Sequence, residues 1–148
     1  MKFVKDVLNE KGHDIWSIGP DASVFEAIEM MAQKEVGALL VLDAGKLIGI
    51  ISERDYTRKV ILKGKSSREI KIRTIMTSPV ICADTEQDVK ECMALMTSKK
   101  IRHLPVLENN QLTGMVSLGD LVQSIIAEQN SQIKDFESYF RYRSDLSR

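Results

Sequence analysis

An internal repeat at a constant offset of 65 residues is the feature that most constrains what this chain can fold into. Residues 24–55 align with residues 89–120 without a gap, and 11 of the 32 aligned pairs are identical. A duplicated unit usually buries its incomplete apolar face against its copy. We therefore expect two similar halves, and the cleft between them is the natural place for a ligand.

The apolar pattern predicts the same order of elements in both halves. Apolar residues at helical spacing follow a capping residue, and two apolar strands joined by a polar turn precede a further helix. With one short leading strand, each half is β-α-β-β-α, which defines an α/β (α+β) fold. The predicted strands span residues 15–18, 36–42, 47–51, 80–82, 103–107 and 112–116, and the closing helices span residues 53–62 and begin near residue 118.

The segments that lead into the two copies also correspond. Lys5–Leu8 resembles Arg73–Met76 at an offset of 68, so the first copy carries three extra residues within residues 9–13. The polar run between the copies is typical of a flexible linker. The predicted parts are a first repeat at residues 5–63, a linker at 64–72, a second repeat at 73–128 and a C-terminal helical extension at 129–148.

The last helix outgrows its counterpart in the first half. Its apolar residues fall roughly on one stripe, and four of the eight aromatic residues lie in the last 13 positions, whereas a disordered tail would be poor in aromatics. We expect this segment to dock on its own domain or on a second subunit. The stripe is Leu121, Val122, Ile125, Ile126, Ile133, Phe136 and Phe140, and the aromatic residues are Phe136, Tyr139, Phe140 and Tyr142.

Charge and hydropathy exclude several classes of function. Lys+Arg and Asp+Glu balance at 21 each, so the chain lacks the basic excess of a general nucleic-acid binder. The apolar runs are too short to span a membrane. The N-terminus lacks the apolar core of a signal peptide, so we expect a cytoplasmic protein, with removal of an organellar leader as the alternative. The two cysteines predict neither a disulfide framework nor a metal site, and Cys92 is expected to be a small buried apolar residue.

Both copies end in the pattern G-x-x-S-x-x-D, which has two interpretations. Ser-x-x-Asp at the head of a helix is a capping box, although that motif favours Glu or Gln over Asp. The pattern also suits a nucleotide, because a carboxylate accepts from both ribose hydroxyls and a serine with helix N-terminal N–H groups suits a phosphate. The glycine would let the backbone approach a ligand closely. The residues are Gly49, Ser52 and Asp55, then Gly114, Ser117 and Asp120.

Positive charge for a phosphate is distributed unevenly between the copies. The run before the second copy's first long strand holds Lys99, Lys100, Arg102 and His103, whereas the first copy has Gly37–Ala38 there. We assign the two lysines to a solvated turn and expect Arg102 and His103 to face the cleft. Near the first copy, Arg54, and Arg58 or Lys59 one turn later, could serve instead.

Sequence signatures of catalysis are absent from the chain. It contains no P-loop, no G-x-G-x-x-G and no G-x-S-x-G pattern. Two copies of one ribose-binding aspartate explain the symmetry better than an acid/base pair. We therefore expect a protein that is not an enzyme.

The paired units, the G-h-h-S-x-x-D ends and the run Arg102–Val106 together resemble a tandem cystathionine-β-synthase (CBS) domain pair, or Bateman module, over roughly residues 5–128. Ser52–Tyr56 and the long last helix resemble the stand-alone two-repeat proteins of bacteria and organelles. The resemblance implies pseudo-two-fold packing and a regulatory module that binds an adenosine nucleotide and acts on a separate, unidentified protein. It implies NAD or AMP first, with ATP, ADP or S-adenosylmethionine as alternatives, no metal, and a flat homodimer. The alternative is an adaptor that works through its C-terminal helix without a ligand.

The resemblance also implies two related clefts. We expect the second to be filled first, because Gly37–Ala38 leaves phosphate binding in the first cleft dependent on Arg54. The second cleft would comprise Ser117 and Asp120, Arg102 and His103 on phosphate, and Ile15, Trp16, Val36, Gly37 and Ala38 around the base. The first would comprise Ser52, Arg54 and Asp55, with Val80, Ile81 and Ile101 around the base.

Overall fold

The computed structural model describes the backbone of residues 1–146 and the side chains of residues 1–141. The last two residues of the predicted extension and the side chain of Tyr142 lie outside the described residues. The helices are α1 (Val4–Lys11), α2 (Val24–Lys34), α3 (Glu53–Lys59), α4 (Val89–Lys99) and α5 (Leu118–Leu146). The strands are β1 (Ser17–Ile18), β2 (Ala38–Asp43), β3 (Lys46–Ser52), β4 (Ala83–Asp84), β5 (His103–Glu108) and β6 (Gln111–Ser117).

Two three-stranded sheets with the same topology confirm the predicted mixed α/β fold and its repeat. In the order β1-β2-β3 and β4-β5-β6, the first pair of each sheet is parallel and the second antiparallel. The register repeats at the 65-residue offset, since Leu39 pairs with Ile51 and Leu104 pairs with Val116. Each antiparallel pair shifts register at the same position, directly after Val41 and Val106 respectively.

Each half is completed by the segment that leads into the other half. Val4, Val7 and Leu8 of α1 belong to the apolar core of the second repeat, whereas Ile72 and Ile75 belong to the core of the first. The backbone follows the same crossing. For example, the Val4 N–H donates to the Gln87 carbonyl at 2.9 Å. The two halves are therefore interlocked, because each apolar core contains the leading segment of the other half.

Several predicted boundaries differ from the structure. Residues 80–82 do not form a strand, because only Ala83 and Asp84 reach the ladder of β5. The strand expected at residues 15–18 is confined to β1, and α3 stops at Lys59 before a 3-10 turn at Ile61–Lys63. The linker is not loose along its whole length. The carbonyls of Ser67 and Ile70 accept N–H groups from the first turn of α2, both at 2.9 Å, which satisfies donors that a helix start leaves unpaired.

The apolar residues of α5 form two stripes rather than the single predicted one. Leu121 is fully buried and Ile125 packs against the same core, whereas Val122 and Ile126 are exposed. Adjacent positions lie about 100° apart on a helix, so the two pairs face different directions. Every described side chain from residue 129 to residue 141 is exposed. In the described part of the chain, no helix has the length and hydropathy needed to cross a membrane.

Cys92 is the small buried apolar residue expected from the sequence. It is free, fully buried and part of the second core. Burial raises the pKa of its thiol to about 11, so the unreactive thiol form prevails at neutral pH.

Candidate functional site

Ser52 and Asp55 close the head of α3 as a reciprocal cap. The Ser52 N–H donates to Asp55 Oδ2 at 2.9 Å, and the Asp55 N–H donates to Ser52 Oγ at 3.3 Å. Ser117 and Asp120 repeat this geometry on α5 at 2.8 and 3.1 Å. Both motifs are therefore capping boxes. Asp serves at the third helical position because its short side chain still reaches the backbone of the serine.

The motif glycines accommodate protein side chains instead of a ligand. A Cβ on Gly49 would lie 2.4 Å from Met76 Sδ, and a Cβ on Gly114 would lie 2.7 Å from Leu8 Cδ2. The expectation that these glycines let the backbone approach a ligand was wrong. They admit the residues through which each leading segment packs on the opposite sheet.

The expected helix N–H groups at the head of α3 are also largely engaged. The Glu53 N–H donates to the Gly37 carbonyl at 3.0 Å, and the Asp55 N–H is bound in the cap. Phosphate recognition at this position would therefore rest mainly on side chains.

A cleft of about 460 Å³ lies between α3 of the first repeat and the turn from α4 to β5 of the second. It brings together all six residues assigned to the first cleft, namely Ser52, Arg54, Asp55, Val80, Ile81 and Ile101. Ile50 and Thr77, which the sequence did not single out, also line it. The cleft therefore combines apolar residues with the motif carboxylate. In this structure the Oδ1 atom of Asp55 accepts from Lys59 Nζ at 2.9 Å.

This first cleft is strongly basic although the whole chain has a net charge of zero. Six lysines and arginines line it against two carboxylates, Glu53 and Asp55. Of these six cations, only Lys59 forms an ion pair with another described residue. The six are Arg54, Arg58, Lys59, Lys99, Lys100 and Arg102.

Lys99 and Lys100 are exposed to solvent where α4 ends and the chain turns, in agreement with their assignment to a solvated turn. Both also line the first cleft, which the sequence did not indicate. Lys100 caps α4 in the left-handed conformation, with φ 56°. The chain then turns and brings the whole basic run of the second repeat to the first repeat's motif. The cations missing at Gly37–Ala38 are thus supplied by the other half of the molecule.

His103 lies at the boundary between the two halves. Its ring is 3.5 Å from the position that a Cβ on Gly37 would occupy, and both residues line the first cleft. Burial lowers the pKa of His103 below its ordinary value, although Asp120 acts in the opposite direction. The imidazole is therefore neutral at pH 7 in this structure.

Among the described residues, none of three cavities brings together all the residues assigned to the second cleft. Ser117, Arg102 and His103 line an open groove of about 640 Å³ at the base of α5, whereas Asp120 faces a separate hollow of about 310 Å³. Gly37 lines the first cleft instead. The other four expected neighbours of the base line none of these three cavities; they are Ile15, Trp16, Val36 and Ala38.

Lys11 occupies the carboxylate of the second motif. Its Nζ donates to Asp120 Oδ2 and to the Met115 carbonyl, both at 2.8 Å. Burial alone would raise the pKa of Asp120, but the bonds from Lys11 and Ser117 lower it below its ordinary value. Lys11 lies in the segment of residues 9–13, which contains the three extra residues of the first copy. The repeat alignment showed the insertion, but it did not indicate that Lys11 contacts Asp120.

Lys59 makes the same kind of contacts in the first motif, with Asp55 Oδ1 and with the Ile75 carbonyl, both at 2.9 Å. The first cleft differs in that its assigned residues line one cavity, and the order in which the clefts are filled stays a prediction.

No group of three or more His, Cys, Asp or Glu side chains within the described residues could hold a metal ion. The polar groups that line the first cleft include cations, hydroxyls and the carboxylate of the motif. This set suits an anionic ligand that carries a diol.

Comparison with known proteins identifies the family of this chain. The family model of the CBS domain matches residues 4–61 and 72–127, so the chain belongs to the CBS-domain family and carries two copies of that domain. CBS pairs are regulatory modules that often bind adenosine ligands.

The individual relatives agree with this assignment. CBS domain-containing protein CBSX3, mitochondrial, of Arabidopsis thaliana is 37% identical over 148 residues, 93% of this chain and 71% of that protein. A protein with CBS domains from Burkholderia ambifaria MC40-6 has a TM-score of 0.84 at 44% identity, with 86% of this chain and 96% of that chain covered. These relatives are stand-alone CBS-domain proteins, a regulatory rather than catalytic class.

A further solved structure contains ligands. The CBS domain pair of protein MJ0100, in complex with 5′-methylthioadenosine and S-adenosyl-L-methionine, has a TM-score of 0.76 at 25% identity and covers 86% of this chain and 98% of its own. CBS pairs can therefore bind adenosine-containing ligands. The cytoplasmic location of this chain stays a prediction. The plant relative is described by its name as a mitochondrial protein.

Proposed function

We propose that this protein is a non-catalytic sensor that binds a phosphorylated adenosine nucleotide in the first cleft and acts on a separate protein. The observation that carries the proposal is the 460 Å³ cleft that unites the motif of one repeat with the basic run of the other. A cavity of this size suits a small organic ligand. A ligand there would touch both halves, so its binding would report on their arrangement.

Each wall of the cleft has a place in this proposal. Val80, Ile81 and Ile101 would pack on the adenine, and Asp55 would accept from the ribose diol. Lys59, which now binds Asp55, is one turn further along α3 and could turn to the phosphates. Arg54 and Arg58, which form no ion pair with any described residue, lie on the same helix.

The charge of the first cleft discriminates among the adenosine ligands. Six cations against two carboxylates favour ligands with two or more phosphates. Each phosphate that enters the cleft loses water, and charge-assisted hydrogen bonds from Arg and Lys replace that hydration. ADP, ATP and NAD fit this charge better than AMP. S-adenosylmethionine, whose sulfonium and ammonium groups are cationic, fits it worst.

The experiment is a thermal-shift and calorimetric titration with adenosine, AMP, ADP, ATP, NAD and S-adenosylmethionine. A ligand at 100 times its dissociation constant adds about 2.7 kcal/mol of stability. The variant is Asp55→Asn, which keeps an acceptor for the cap but removes the charge and the second acceptor oxygen. The matched control is Asp120→Asn, which makes the same change in the other capping box.

We expect Asp55→Asn to lose the nucleotide-dependent shift and Asp120→Asn to keep it. If Asp120→Asn alone loses the nucleotide-dependent shift, the nucleotide binds in the second cleft instead. If both variants bind as tightly as the native chain, the ribose assignment is wrong. If the native chain, shown to be purified free of nucleotide, responds to none of these ligands, the sensor proposal fails.

The exposed C-terminal part of α5 favours a second function, that of an adaptor that works through this helix without a ligand. The adaptor would show no nucleotide shift, and truncation after residue 128 would abolish binding to its partner protein. A sensor with the same truncation would still bind nucleotide. In either case we expect a homodimer.

A further inference from the structure

An exposed seam of apolar residues runs along α5 and repeats at alternating intervals of four and three. This spacing is that of the paired positions in a coiled coil. Gln129 is the one polar member of the seam. The residues of this α5 seam are Val122, Ile126, Gln129, Ile133, Phe136 and Phe140.

Among the residues that the structure describes, none covers the α5 seam. Its five apolar residues expose between 38% and 63% of their surface, and all described side chains from residue 129 onward are exposed. Leu121 and Ile125 already supply the contacts of α5 with its own core. A projecting helix normally gains its stability from packing of an apolar face, so this stretch requires a partner.

The two ends of the α5 seam have complementary shapes. At its start, Leu118, Val122 and Ile126 contribute to the open groove of about 640 Å³ at the base of α5. At its far end, Phe136 and Phe140 project with ring centroids 4.6 Å apart in an edge-to-face pair. The same helix thus carries a groove at one end and a bulky aromatic knob at the other.

We propose that the α5 helices of two copies of this chain pair antiparallel, so that the aromatic knob of each fills the basal groove of the other. The two-fold axis would pass beside Ser131. This arrangement is isologous and closed. It does not depend on nucleotide binding.

The spacing of the α5 seam supports this orientation. About this axis, Val122 lies opposite Phe140 of the second copy, and Ile126 lies opposite its Phe136. Each small or medium side chain then meets a large one, which keeps the layers similar in volume. A parallel pair would instead stack Phe on Phe at one end and Val on Val at the other, and both basal grooves would stay open.

The area and the charges are compatible with a stable pair. The five apolar seam side chains expose on the order of 500 Å² per chain, as expected for exposed aromatic and aliphatic residues. Two such faces, with the groove walls, reach roughly the 1,000 Å² that a specific interface requires. Of the six positions that flank the seam, Glu137 alone is charged, so no like charges oppose one another; these positions are Gln123, Ile125, Asn130, Gln132, Glu137 and Tyr139.

The first test is the mass of the full chain in solution, by light scattering and sedimentation. We expect twice the 16.7 kDa chain mass. Phe136→Gln with Phe140→Gln should raise the dimer dissociation constant at least ~100-fold, because aromatic anchors dominate such interfaces. Gln is a good helix former, and circular dichroism checks that α5 persists. The control is Ile61→Gln with Leu62→Gln, which removes two exposed apolar residues elsewhere.

The second test distinguishes the orientation and works even if the glutamine variant is unstable. Gln129→Cys and Ile133→Cys are made separately in a Cys82→Ser background, with the buried Cys92 retained. In the antiparallel pair, the two variants crosslink when mixed, and neither crosslinks alone. Crosslinking of each variant alone would establish a parallel pair, and a native chain that stays monomeric, or a glutamine variant that dimerises like the native chain, would overturn the proposal.

Discussion

Lys11 Nζ lies 2.8 Å from Asp120 Oδ2, so one oxygen of the second motif's carboxylate is bound to a cation of the chain itself. We predict that Lys11→Met frees the carboxylate of Asp120, so that the second motif can bind a nucleotide. Calorimetry should then give two nucleotides per chain, compared with one for the native protein. Two sites in the native protein, or one site in both, would show that Lys11 does not control the second motif.

The same ion pair has a consequence for stability that does not depend on any ligand. The contact lowers the pKa of Asp120 below its ordinary value of 3.8, so its stabilisation is present above that value and is lost as pH falls through the folded-state pKa. Lys11→Met should lower the free energy of unfolding at pH 7 by about 1 kcal/mol, because solvent screens a partly exposed pair. The control is urea unfolding of Lys5→Met. Lys5 lies on the same helix as Lys11, and its exposed contact is with Glu86, so we expect a smaller effect.

Gly114→Ala tests how α1 locks onto the second repeat. A Cβ at Gly114 would lie 2.7 Å from Leu8 Cδ2, and Leu8 is fully buried, so overpacking should cost about 1–3 kcal/mol. Combined with Leu8→Ala, the total cost in urea unfolding should fall below the sum of the single costs, since the double variant relieves the clash. Additive costs would mean that α1 does not rest on Gly114.

Gly49→Ala is the matched comparison for that experiment. Its Cβ would come still closer, 2.4 Å from Met76 Sδ. Methionine is unbranched and adapts easily to changes in packing, so we expect a smaller loss than for Gly114→Ala despite the shorter distance. Equal or larger loss would show that the leading segment of the second repeat is as rigid as α1.

The pH dependence of stability should report on His103. Its folded-state pKa lies below the ordinary 6.5, chiefly through burial, with Lys11 and Arg102 acting in the same direction and Asp120 against it. The unfolded chain therefore binds a proton more readily, and the free energy of unfolding should fall as pH decreases from 7.5 through 6.5 to 5.5. His103→Asn should flatten this slope in urea titrations. An unchanged slope would assign it to other groups.

The repeat predicted the order of elements because apolar spacing and turn residues act locally. The crossing of α1 onto the second sheet depends on which half each leading segment packs against, and local spacing carries no information on that choice. The place of Lys100 on the first cleft was missed for a related reason, since its left-handed backbone redirects the chain. The two stripes of α5 were within reach of the sequence. Neighbouring apolar pairs such as Leu121–Val122 must face different directions on a helix.

Lys99 and Lys100 provide the sharpest test of how the first cleft selects its ligand. Both line the cleft without an ion pair among the described residues. Lys99→Gln with Lys100→Gln should weaken ATP binding roughly 3–10-fold, about what two solvent-exposed charge contacts contribute. Affinity for adenosine, which carries no phosphate, should stay the same.

The matched control for the lysine pair is Lys63→Gln with Lys65→Gln, which removes the same charge at exposed positions outside the cleft. Calorimetry at low and high salt separates local contacts from the general field, because salt screens exposed charges. The control should bind ATP like the native chain. Equal losses for both lysine pairs, or a loss for adenosine as large as that for ATP, would mean that Lys99 and Lys100 do not contact the phosphates.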